Sequence, residues 1–393
     1  MENNLMGVMM IYATCPHCQK KYELTNDYAA TIVVCESCNN NFFIIDSSGK
    51  TQKVQAKSTE QSKGKQNPDF DWKKIKSGTE EKLRTALDLE KIENFNLSDF
   101  FGQIFKKHPW NEIEEYLTLG TPSKTPSLSE ISTTWPTPWL FFRMILITVV
   151  AVLFLYWKGD FLGWHNIFMP LLVFGVIGIP WATLIFFWEL NIPKNISILL
   201  LIKIMLISGF LSLGITFMMH SLFGVDTSWS AIWAGPIEES AKALTMLFFL
   251  RNKRYNYKLN GLLIGAAVGT GFAFIETGGY TMMAGEEAAD ATMILRALLS
   301  PFCHIPWSAI VGAALWRSMQ NKTWDFENLL NRKFLPLFLC SVGLHMFWNS
   351  PLLGNELILK TAIVGVFEYL IIIYLLQEGI NEIRQLKNTT KAI

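Results

Sequence analysis

The sequence predicts an all-α polytopic membrane protein of about eight transmembrane helices, with a small β-rich zinc ribbon at its N-terminus. Half of the 393 residues are hydrophobic. From Trp139 onward the chain consists mainly of apolar runs long enough to cross about 30 Å of bilayer, and two pairs of cysteines stand near the N-terminus. We expect eight spans: 139–157, 166–188, 196–222, 229–250, 259–283, 295–316, 334–353 and 357–377.

The charges of the predicted loops place both termini in the cytoplasm. Loop 251–258 carries four lysines and arginines, whereas loops 220–228 and 284–292 carry none. Basic residues are retained on the cytoplasmic side of a membrane. We therefore expect an integral protein of the lipid bilayer. Its net charge of +1 gives no reason to expect a nucleic acid partner.

The four cysteines Cys15, Cys18, Cys35 and Cys38 form two CxxC pairs separated by 16 residues. Each pair can present two thiolates from a tight turn, and four thiolates complete a tetrahedral zinc site. Residues 1–45, which contain short segments of β-strand composition, are therefore predicted to form a ribbon around a structural zinc ion. A closed site of this kind has no vacant position for catalysis.

The rest of the chain divides by composition. Residues 46–68 are rich in Lys, Gln and Ser with almost no large apolar residue, which predicts a flexible linker. Residues 69–138 show helical periodicity and then a Pro-, Ser- and Thr-rich stretch, which predicts a cytoplasmic helical and juxtamembrane region. Residues 139–380 form the predicted eight-helix domain, and 381–393 form a cytoplasmic tail.

Polar residues interrupt four consecutive predicted spans at a similar depth, about 10 to 13 Å below the outer surface for straight helices. Carboxylates and imidazoles are costly in hydrocarbon and are rarely kept there without a function. We therefore expect one buried polar site. Its members are Glu238, Glu239 and Lys242 in the fourth span, Phe272 and Glu276 in the fifth, His304 in the sixth, and His345 and Asn349 in the seventh.

The spacing of these residues suggests what each can do. Lys242 shares a helix face with Glu238, four residues earlier, and its ammonium can hold a neighbouring carboxylate ionised. Glu239 is rotated by about 100° and can face a second partner. His345 and Asn349 also share a face and can both donate hydrogen bonds to a developing oxyanion. A carboxylate that takes a proton from water completes the requirements for hydrolysis.

Two local features bear on how the site is built. His304 is flanked by prolines, so we expect the helix to break beside it. In the fifth span, glycines recur at a spacing of four, which predicts close contact with another helix and places Glu276 on the packed face. These glycines are Gly261, Gly265 and Gly269.

At these residues the chain resembles the PrsW family of intramembrane proteases, which is related to the CAAX-processing and bacteriocin-immunity membrane proteases. The resemblance covers roughly residues 139–380. Its motifs are EExxK (Glu238, Glu239, Lys242), FxxxE (Phe272, Glu276), a histidine in the next span (His304) and HxxxN (His345, Asn349), with the segment 188–195 as support.

The resemblance implies hydrolysis of peptide bonds within or near a bacterial cell membrane. Glu238 would be the general base on water, and His345 with Asn349 would form the oxyanion pocket. CAAX-processing relatives have FxxxH where this chain has Glu276, which leaves open whether Glu276 positions water, shares a proton or helps to bind metal. The expected partner is a membrane-associated protein substrate, which for PrsW-type enzymes of some bacteria is an anti-sigma factor.

Three alternatives to a glutamic-type protease remain open at this point. Three carboxylates and two histidines can hold Zn²⁺, so a metalloprotease is the nearest alternative, although the chain lacks HExxH. A cation or proton transporter would use the same groups as a relay and would need a second polar layer towards the cytoplasm. A noncatalytic receptor with a zinc-ribbon sensor would leave the buried acids unexplained. We favour catalysis without a catalytic metal.

Overall fold

The computed structural model describes the chain in several stretches and divides it into two compact units, Met1–Asp71 and Trp72–Ile393. The described residues are 10–25, 32–38, 41–44, 51–53, 80–162, 170, 173–223, 230–250, 255, 257–285, 288–319, 329–354 and 356–391.

The first unit contains two small antiparallel sheets. Strand β1 (Met10–Thr14) pairs with β2 (Lys21–Thr25), and β3 (Ile32–Val34), β4 (Asn41–Ile44) and β5 (Thr51–Lys53) form a second sheet in that order. The buried core described in this unit is small and includes two cysteines: Ala13, Cys15, Cys35, Phe42 and Ile44. A core of this size gives little stability by itself, and such domains commonly depend on a metal or disulfides.

Strand β5 lies within residues 46–68, which the sequence predicts to be a linker. Its pairing with β4 extends the sheet of the ribbon beyond residue 45. Composition did not reveal this strand, because antiparallel pairing uses backbone hydrogen bonds that almost any residue can make. The other residues of the predicted linker lie outside the described part of the chain.

The second unit is helical, as predicted. Residues 80–86 are helical. The elements that follow are α1 (Leu97–Phe100), α2 (Trp110–Leu117), α3 (Leu140–Leu162), a π-helical stretch (Val173–Gly178), α4 (Ile179–Leu190), α5 (Ile198–Phe223), α6 (Ser230–Leu250), α7 (Lys258–Met283), α8 (Ala289–Leu299), a 3-10 stretch (Ser300–Phe302), α9 (His304–Ser318), α10 (Leu335–Asn349) and α11 (Leu357–Lys391).

Each of the eight predicted spans contains a helix, and the class of helical membrane protein is confirmed. Five helical segments described by the structure are long and apolar enough to cross a membrane: Leu140–Lys158, Ile198–Phe223, Lys258–Met283, Ala289–Ser318 and Leu357–Thr390. Two apolar segments are shorter, Phe174–Leu190 and Leu335–Asn349. The number of eight spans stays a prediction.

Helix α7 is the central helix of the membrane domain, and its small residues allow neighbouring backbones to approach it closely. A β-carbon added at Gly265 would collide with the carbonyl oxygen of Ser308 on α9, and one at Gly269 with that of His304. On another side, a β-carbon at Gly209 of α5 would lie 2.6 Å from the carbonyl oxygen of Gly271. The predicted glycine row is thus the surface that brings α9 against α7.

The helix break beside His304 is present as predicted. Helix α8 ends at Leu299, and the 3-10 stretch leads to α9, which starts at His304. Proline lacks an amide hydrogen, so a regular helix is interrupted where Pro301 stands. The hydroxyl of Tyr369 on α11 donates to the Pro301 carbonyl at 2.8 Å and fixes the break against that helix.

The region before the first long helix packs on the membrane domain. Leu87, Leu89, Phe100 and Ile131 are buried in the same core as residues of α4, α7, α9 and α11. The carboxylate of Glu189 accepts the first three amide hydrogens around the start of α3, from residues 139–141, at 2.8 to 2.9 Å. These amides lack partners within their own helix, so Glu189 anchors α3 to the end of α4.

The glycine contact between α7 and α9 predicts different results for two Gly→Ala substitutions on one helix. Gly265→Ala should lower stability by about 1 to 3 kcal/mol, because the added methyl group forces the two backbones apart. Gly278→Ala is the matched control, since its β-carbon would meet no atom within 4 Å. The control should be neutral or slightly stabilising, because alanine is the better helix former.

Thermal unfolding of both variants in the same detergent measures the difference. Equal melting temperatures would contradict the proposed contact.

Candidate functional site

Four helices bring all the predicted site residues together around one cavity of about 460 Å³, which we call the polar cavity. Its lining includes five of them: Glu238, Glu276, His304, His345 and Asn349. Glu239, Lys242 and Phe272 are buried behind this surface. The convergence inferred from helix depth is therefore present in the structure, on α6, α7, α9 and α10.

Lys242 is fully buried and lies at the centre of the cluster. Its ammonium donates to Glu239 Oε1 at 2.5 Å and to His304 Nδ1 at 3.1 Å. It also lies 4.7 Å from the centre of the Phe272 ring, where a cation is attracted by the aromatic face. The spacing of four had suggested a pair with Glu238. The structure instead pairs Lys242 with Glu239, three residues before it, because i,i+3 side chains are also neighbours on a helix.

Glu239 is shared between Lys242 and His345. The same oxygen, Oε1, accepts from the ammonium and lies 2.9 Å from His345 Nδ1. A carboxylate held by an ammonium only accepts hydrogen bonds, so Nδ1 of His345 carries the hydrogen. The other ring nitrogen, Nε2, then faces Glu238 at 3.8 Å. Trp307 stacks on the ring of His345 with centroids 4.6 Å apart and fixes its plane.

Glu276 is held in a comparable way by His304 and Arg296. His304 Nδ1 accepts from Lys242, which can only donate, so Nε2 of His304 carries the hydrogen. This Nε2 lies 2.9 Å from Glu276 Oε2, and Arg296 donates to the same oxygen at 2.5 Å. The partners of Glu276 are therefore an imidazole and a guanidinium. It lies on the packed side of α7, as the glycine row predicted.

Glu238 differs from the two other acids because no cation holds it. Its Oε2 is buried and has no hydrogen-bond partner among the described residues. The nearest ring nitrogens, His304 Nδ1 and His345 Nε2, both lie 3.8 Å from that oxygen. A buried polar atom without a partner is costly, so a water molecule, a substrate or an ion is needed at this point.

Asn349 ends α10 at the rim of the polar cavity. Its Nδ2 donates one hydrogen to the Ala231 carbonyl at 2.8 Å. An amide group has two hydrogens, so a second remains for another acceptor. The hydrogen bond to Ala231 ties Asn349 to α6, seven residues before Glu238, and sets the orientation of the amide.

Sequence reasoning missed two charged residues next to this cluster. Arg296 stands in a short helix, within the predicted span 295–316. A lone arginine in such a segment, 20 residues after Glu276, was the signal available. Glu368 on α11 is fully buried, and neither of its oxygens has a hydrogen-bond partner among the described residues. Like Arg296, it is an ionisable residue in an otherwise apolar run.

The segment 188–195, which supported the family resemblance, lies outside the lining of the polar cavity. Lys194 donates to the carbonyls of Trp188 and Glu189 at 3.1 and 3.0 Å and so caps the end of α4. Burial lowers the pKa of Lys194 to about 8. Together with the hydrogen bonds between the Glu189 carboxylate and the start of α3, this shows that the segment positions helices. It does not contact the cluster around Glu238.

The residues around Glu238 are also a possible metal site. Ligand atoms of Glu238, His304 and His345 lie within 4.8 Å of one another. Each imidazole contacts a carboxylate through its other nitrogen, Glu276 for His304 and Glu239 for His345, which is the usual support of metal-binding histidines. The ammonium of Lys242 occupies the His304 lone pair that such an ion would use. The donor set fits a divalent ion if Lys242 gives up that contact.

The four cysteines of the ribbon converge as predicted. Their sulfur atoms all lie within 4.8 Å of one another. Sγ of Cys15 is 3.8 Å from that of Cys38, and Sγ of Cys18 is 3.4 Å from that of Cys35. A tetrahedral ion with Zn–S bonds of about 2.3 Å holds its sulfurs about 3.8 Å apart. The four residues can therefore hold a metal ion with little adjustment.

The ribbon contains a further feature that favours metal binding. The hydroxyl of Tyr22 donates to Cys35 Sγ at 3.0 Å. This hydrogen bond lowers the pKa of the Cys35 thiol to about 6. The thiolate is the form that binds metal, so Cys35 is prepared for coordination near neutral pH. His17, in the turn between Cys15 and Cys18, is exposed, and the metal-capable group does not include it.

A helical membrane domain with a buried acid and imidazole cluster around a cavity defines an integral membrane protein with an intramembrane polar site. A family model described as "PrsW family intramembrane metalloprotease" matches residues 180–376, about half of the chain. The chain belongs to this family of intramembrane proteases, and the family resemblance drawn from the motifs is confirmed. The matched region contains every predicted residue of the polar site.

Two relatives agree with this assignment. Protease PrsW of Halalkalibacterium halodurans is 26% identical over 180 residues, which cover 44% of this chain and 82% of that protein. Protease PrsW of Clostridioides difficile is 29% identical over 153 residues, covering 36% of this chain and 64% of the relative. No solved structure matches the chain. The family implies a membrane-embedded protein substrate.

The cysteine geometry predicts one zinc ion in the ribbon. Cys35→Ser should remove one equivalent of zinc per chain, because three thiolates no longer close a tetrahedron. Cys340→Ser is the control, since Cys340 lies on α10 among apolar neighbours. Metal analysis by mass spectrometry after dialysis measures both variants. An unchanged zinc content in Cys35→Ser would show that the ribbon does not hold the metal.

Proposed function

We propose that the chain is a glutamic-type intramembrane endopeptidase in which Glu238 activates the hydrolytic water for cleavage of a membrane protein. The observation that supports this most directly is the state of Glu238. It lines the polar cavity and has no contact with a lysine or arginine among the described residues, whereas Glu239 and Glu276 are each held by a cation at 2.5 Å. A buried Oε2 without a hydrogen-bond partner occurs in both Glu238 and Glu239, so the missing cation is what sets Glu238 apart. Glu238 is therefore the acid that is free to accept a proton.

The charges of the cluster support the same role. Three carboxyl groups face two permanent cations, Lys242 and Arg296. A buried cluster is least costly when its charges balance, so the balanced cluster carries one further proton. Glu238 and the Nε2 atom of His345, 3.8 Å apart, are the groups between which that proton can pass. With the proton on His345, Glu238 is a carboxylate base beside an imidazolium donor.

In the proposed reaction, a water molecule in the polar cavity attacks the carbonyl carbon of the scissile bond. Glu238 accepts one proton from that water as the new carbon–oxygen bond forms. The electron pair of the carbonyl moves to its oxygen. Glu238 then gives the proton to the leaving nitrogen, and the carbon–nitrogen bond breaks. The products are a carboxyl group and an amine, and Glu238 is again a carboxylate.

The developing oxyanion needs hydrogen-bond donors. The protonated Nε2 of His345 and the second amide hydrogen of Asn349 are the groups proposed for this, and both residues line the polar cavity. Glu239 anchors His345 from the other ring nitrogen, and Trp307 fixes the ring plane. Donors that are already oriented do not need to reorganise during the reaction, which is the main source of their effect. Glu276 and Arg296 hold His304 in place.

A metal-dependent form of the same reaction is the second candidate, favoured by the short distances among Glu238, His304 and His345. These three residues would hold the ion, and Glu276 and Glu239 would support the imidazoles. A bound divalent ion would activate water and polarise the carbonyl group. The ammonium of Lys242, 3.1 Å from His304 Nδ1, favours the form without metal, because it would be repelled by a cation there.

A transporter is less well supported by the arrangement. A relay across the membrane would continue from the cluster towards the cytoplasm. On α6 the next ionisable residue beyond Glu239 is Lys242, and both of its hydrogen bonds, to Glu239 and His304, lie within the cluster.

Two further expectations are part of the protease proposal. Both termini lie in the cytoplasm of a bacterial cell, and an anti-sigma factor is one candidate substrate.

The role of Glu238 predicts a large loss of activity in Glu238→Gln. This substitution keeps the size of the side chain and removes the base, so cleavage should fall about a thousandfold, within the usual range for general base catalysis. The rate of cleavage of single-span reporter proteins in proteoliposomes measures the effect. Glu356→Gln, at an exposed acid beside the start of α11, is the control and should keep full activity.

The thermal unfolding of Glu238→Gln should stay close to that of the wild-type chain, because glutamine keeps the size of the side chain and no contact with a lysine or arginine is lost. Cleavage by Glu238→Gln at the wild-type rate would refute the assignment of the base.

A second experiment separates the two forms of the reaction. The Cys35→Ser chain lacks the ribbon metal, so any zinc that remains belongs to the membrane domain. We expect no stoichiometric zinc in this variant and full cleavage after treatment with a membrane-permeant chelator. The metal-dependent form would give different results. Cys35→Ser would keep one equivalent of zinc, and Cys35→Ser/His345→Ala would lose it. Cleavage would also stop on chelation and return when Zn²⁺ is added.

A further inference from the structure

A second cavity in the membrane domain lies between α8 and α11 and is lined almost entirely by apolar side chains. Its volume is about 670 Å³. Leu295 and Leu298 of α8 line one side, and Ile358, Ala362 and Val366 of α11 line the other. Ile358 is 86% exposed and Val366 is 69% exposed. The cavity is therefore a groove that opens at the surface of the membrane domain, and we call it the α8–α11 groove.

The groove adjoins the polar cavity, and the two share part of their lining. Leu295, Leu299 and Leu357 line both. The residue after Leu295 is Arg296, whose guanidinium pairs with Glu276 on the polar side. One turn of α8 thus carries the wall of the groove and a member of the polar cluster. A chain lying in the groove would lead directly to the carboxylates and imidazoles.

The chemistry of the groove selects an apolar occupant. Two hydroxyl groups belong to its lining, and both are already used within the chain. Thr361 donates to the Leu357 carbonyl at 2.8 Å, and Tyr369 donates to the Pro301 carbonyl at 2.8 Å. No lining side chain carries a charge. Inside a bilayer such an occupant is held by close packing, since lipid and groove are equally apolar.

Gly365 gives the groove its depth next to the helix break. A β-carbon at Gly365 would lie 2.8 Å from Cδ1 of Phe302. Phe302 belongs to the 3-10 stretch that precedes His304. Because Gly365 has no side chain, the floor of the groove reaches the segment that positions His304. An occupant of the groove therefore lies within a few residues of the proposed catalytic machinery.

The size of the groove limits the length of the occupant. A helix with its side chains is about 10 Å wide and rises about 1.5 Å per residue, so each residue fills on the order of 120 Å³. The groove has room for about five such residues. A whole spanning helix needs about twenty residues. The remainder of a transmembrane substrate must stay in the bilayer or extend into the polar cavity.

We propose that the α8–α11 groove binds a short apolar stretch of the substrate's membrane-spanning segment, which enters from the bilayer between α8 and α11. The adjoining peptide bond then reaches the polar cavity beside Glu238. This inference rests on the proposed function, because it assigns the substrate-binding surface of the same site. The residues that the groove shares with the polar cavity are the reason to assign it to substrate. A lipid acyl chain has the same apolar character, and the experiment distinguishes the two.

Photo-crosslinking tests the inference without requiring hydrolysis. In the Glu238→Gln chain, p-benzoylphenylalanine replaces either Ala362, inside the groove, or Leu359, an exposed residue of the same helix outside its lining. The probe is a biotinylated single-span peptide of Leu and Ala, reconstituted with the protein in lipid nanodiscs. Position 362 should crosslink the probe several-fold more than position 359, and excess unlabelled peptide should reduce the yield.

Equal yields at the two positions, or adducts at position 362 with lipid alone, would overturn the inference. These outcomes are independent of the proposed reaction, because crosslinking measures occupancy and the Glu238→Gln chain is used only to keep the probe intact. If Glu238→Gln cleaves at the wild-type rate, the assignment of the base fails, but a positive crosslinking result still supports substrate binding in the groove.

A matched pair of tryptophan variants links the groove to cleavage. Ala362→Trp fills the groove and should raise KM for a single-span substrate about tenfold, which corresponds to about 1.4 kcal/mol of lost binding, with kcat nearly unchanged. Leu359→Trp adds the same ring outside the groove and should leave both parameters unchanged. The same KM in the two variants would contradict a role of the groove in substrate binding.

Discussion

Burial of charge inside a membrane is the constraint on which the arrangement of the polar cavity depends. Hydrocarbon does not solvate carboxylates, so each must find a cation, a donor or a proton. Lys242 neutralises Glu239, and Arg296 neutralises Glu276. The third acid, Glu238, has no such partner. The two acids that are held by cations are thereby distinct from the acid that we propose as the base.

This arrangement exists only because two helices come unusually close. Gly261, Gly265 and Gly269 of α7 remove the side chains that would keep α9 away. The break before α9 then directs His304 towards α7, and its Nε2 comes within 2.9 Å of Glu276. A bulkier residue in the glycine row would displace an imidazole and leave a buried carboxylate with one partner fewer. Helix packing and the electrostatics of the site are thus coupled.

The two metal-capable groups of the chain differ in what surrounds them. In the ribbon, four thiols face one another with nearly tetrahedral spacing, and two of the cysteines belong to its small core. In the membrane domain, one acid and two imidazoles face an open cavity, and each imidazole is supported by a second acid. The first arrangement is suited to holding a structural ion. The second leaves space for a water molecule and a peptide bond.

Four features could be predicted from the sequence: the class of membrane protein, the cysteine group of the ribbon, the break beside His304 and the set of residues that meet at the polar cavity. These follow from local rules, because hydropathy, motif spacing and proline act within one segment. Tertiary structure decided which groups pair. Lys242 bonds Glu239 and not Glu238, since the choice between i,i+3 and i,i+4 depends on His304 and His345 from other helices. It also revealed Arg296 as the partner of Glu276, strand β5, and the α8–α11 groove, because each of these arises from contacts between segments that are separate in the sequence.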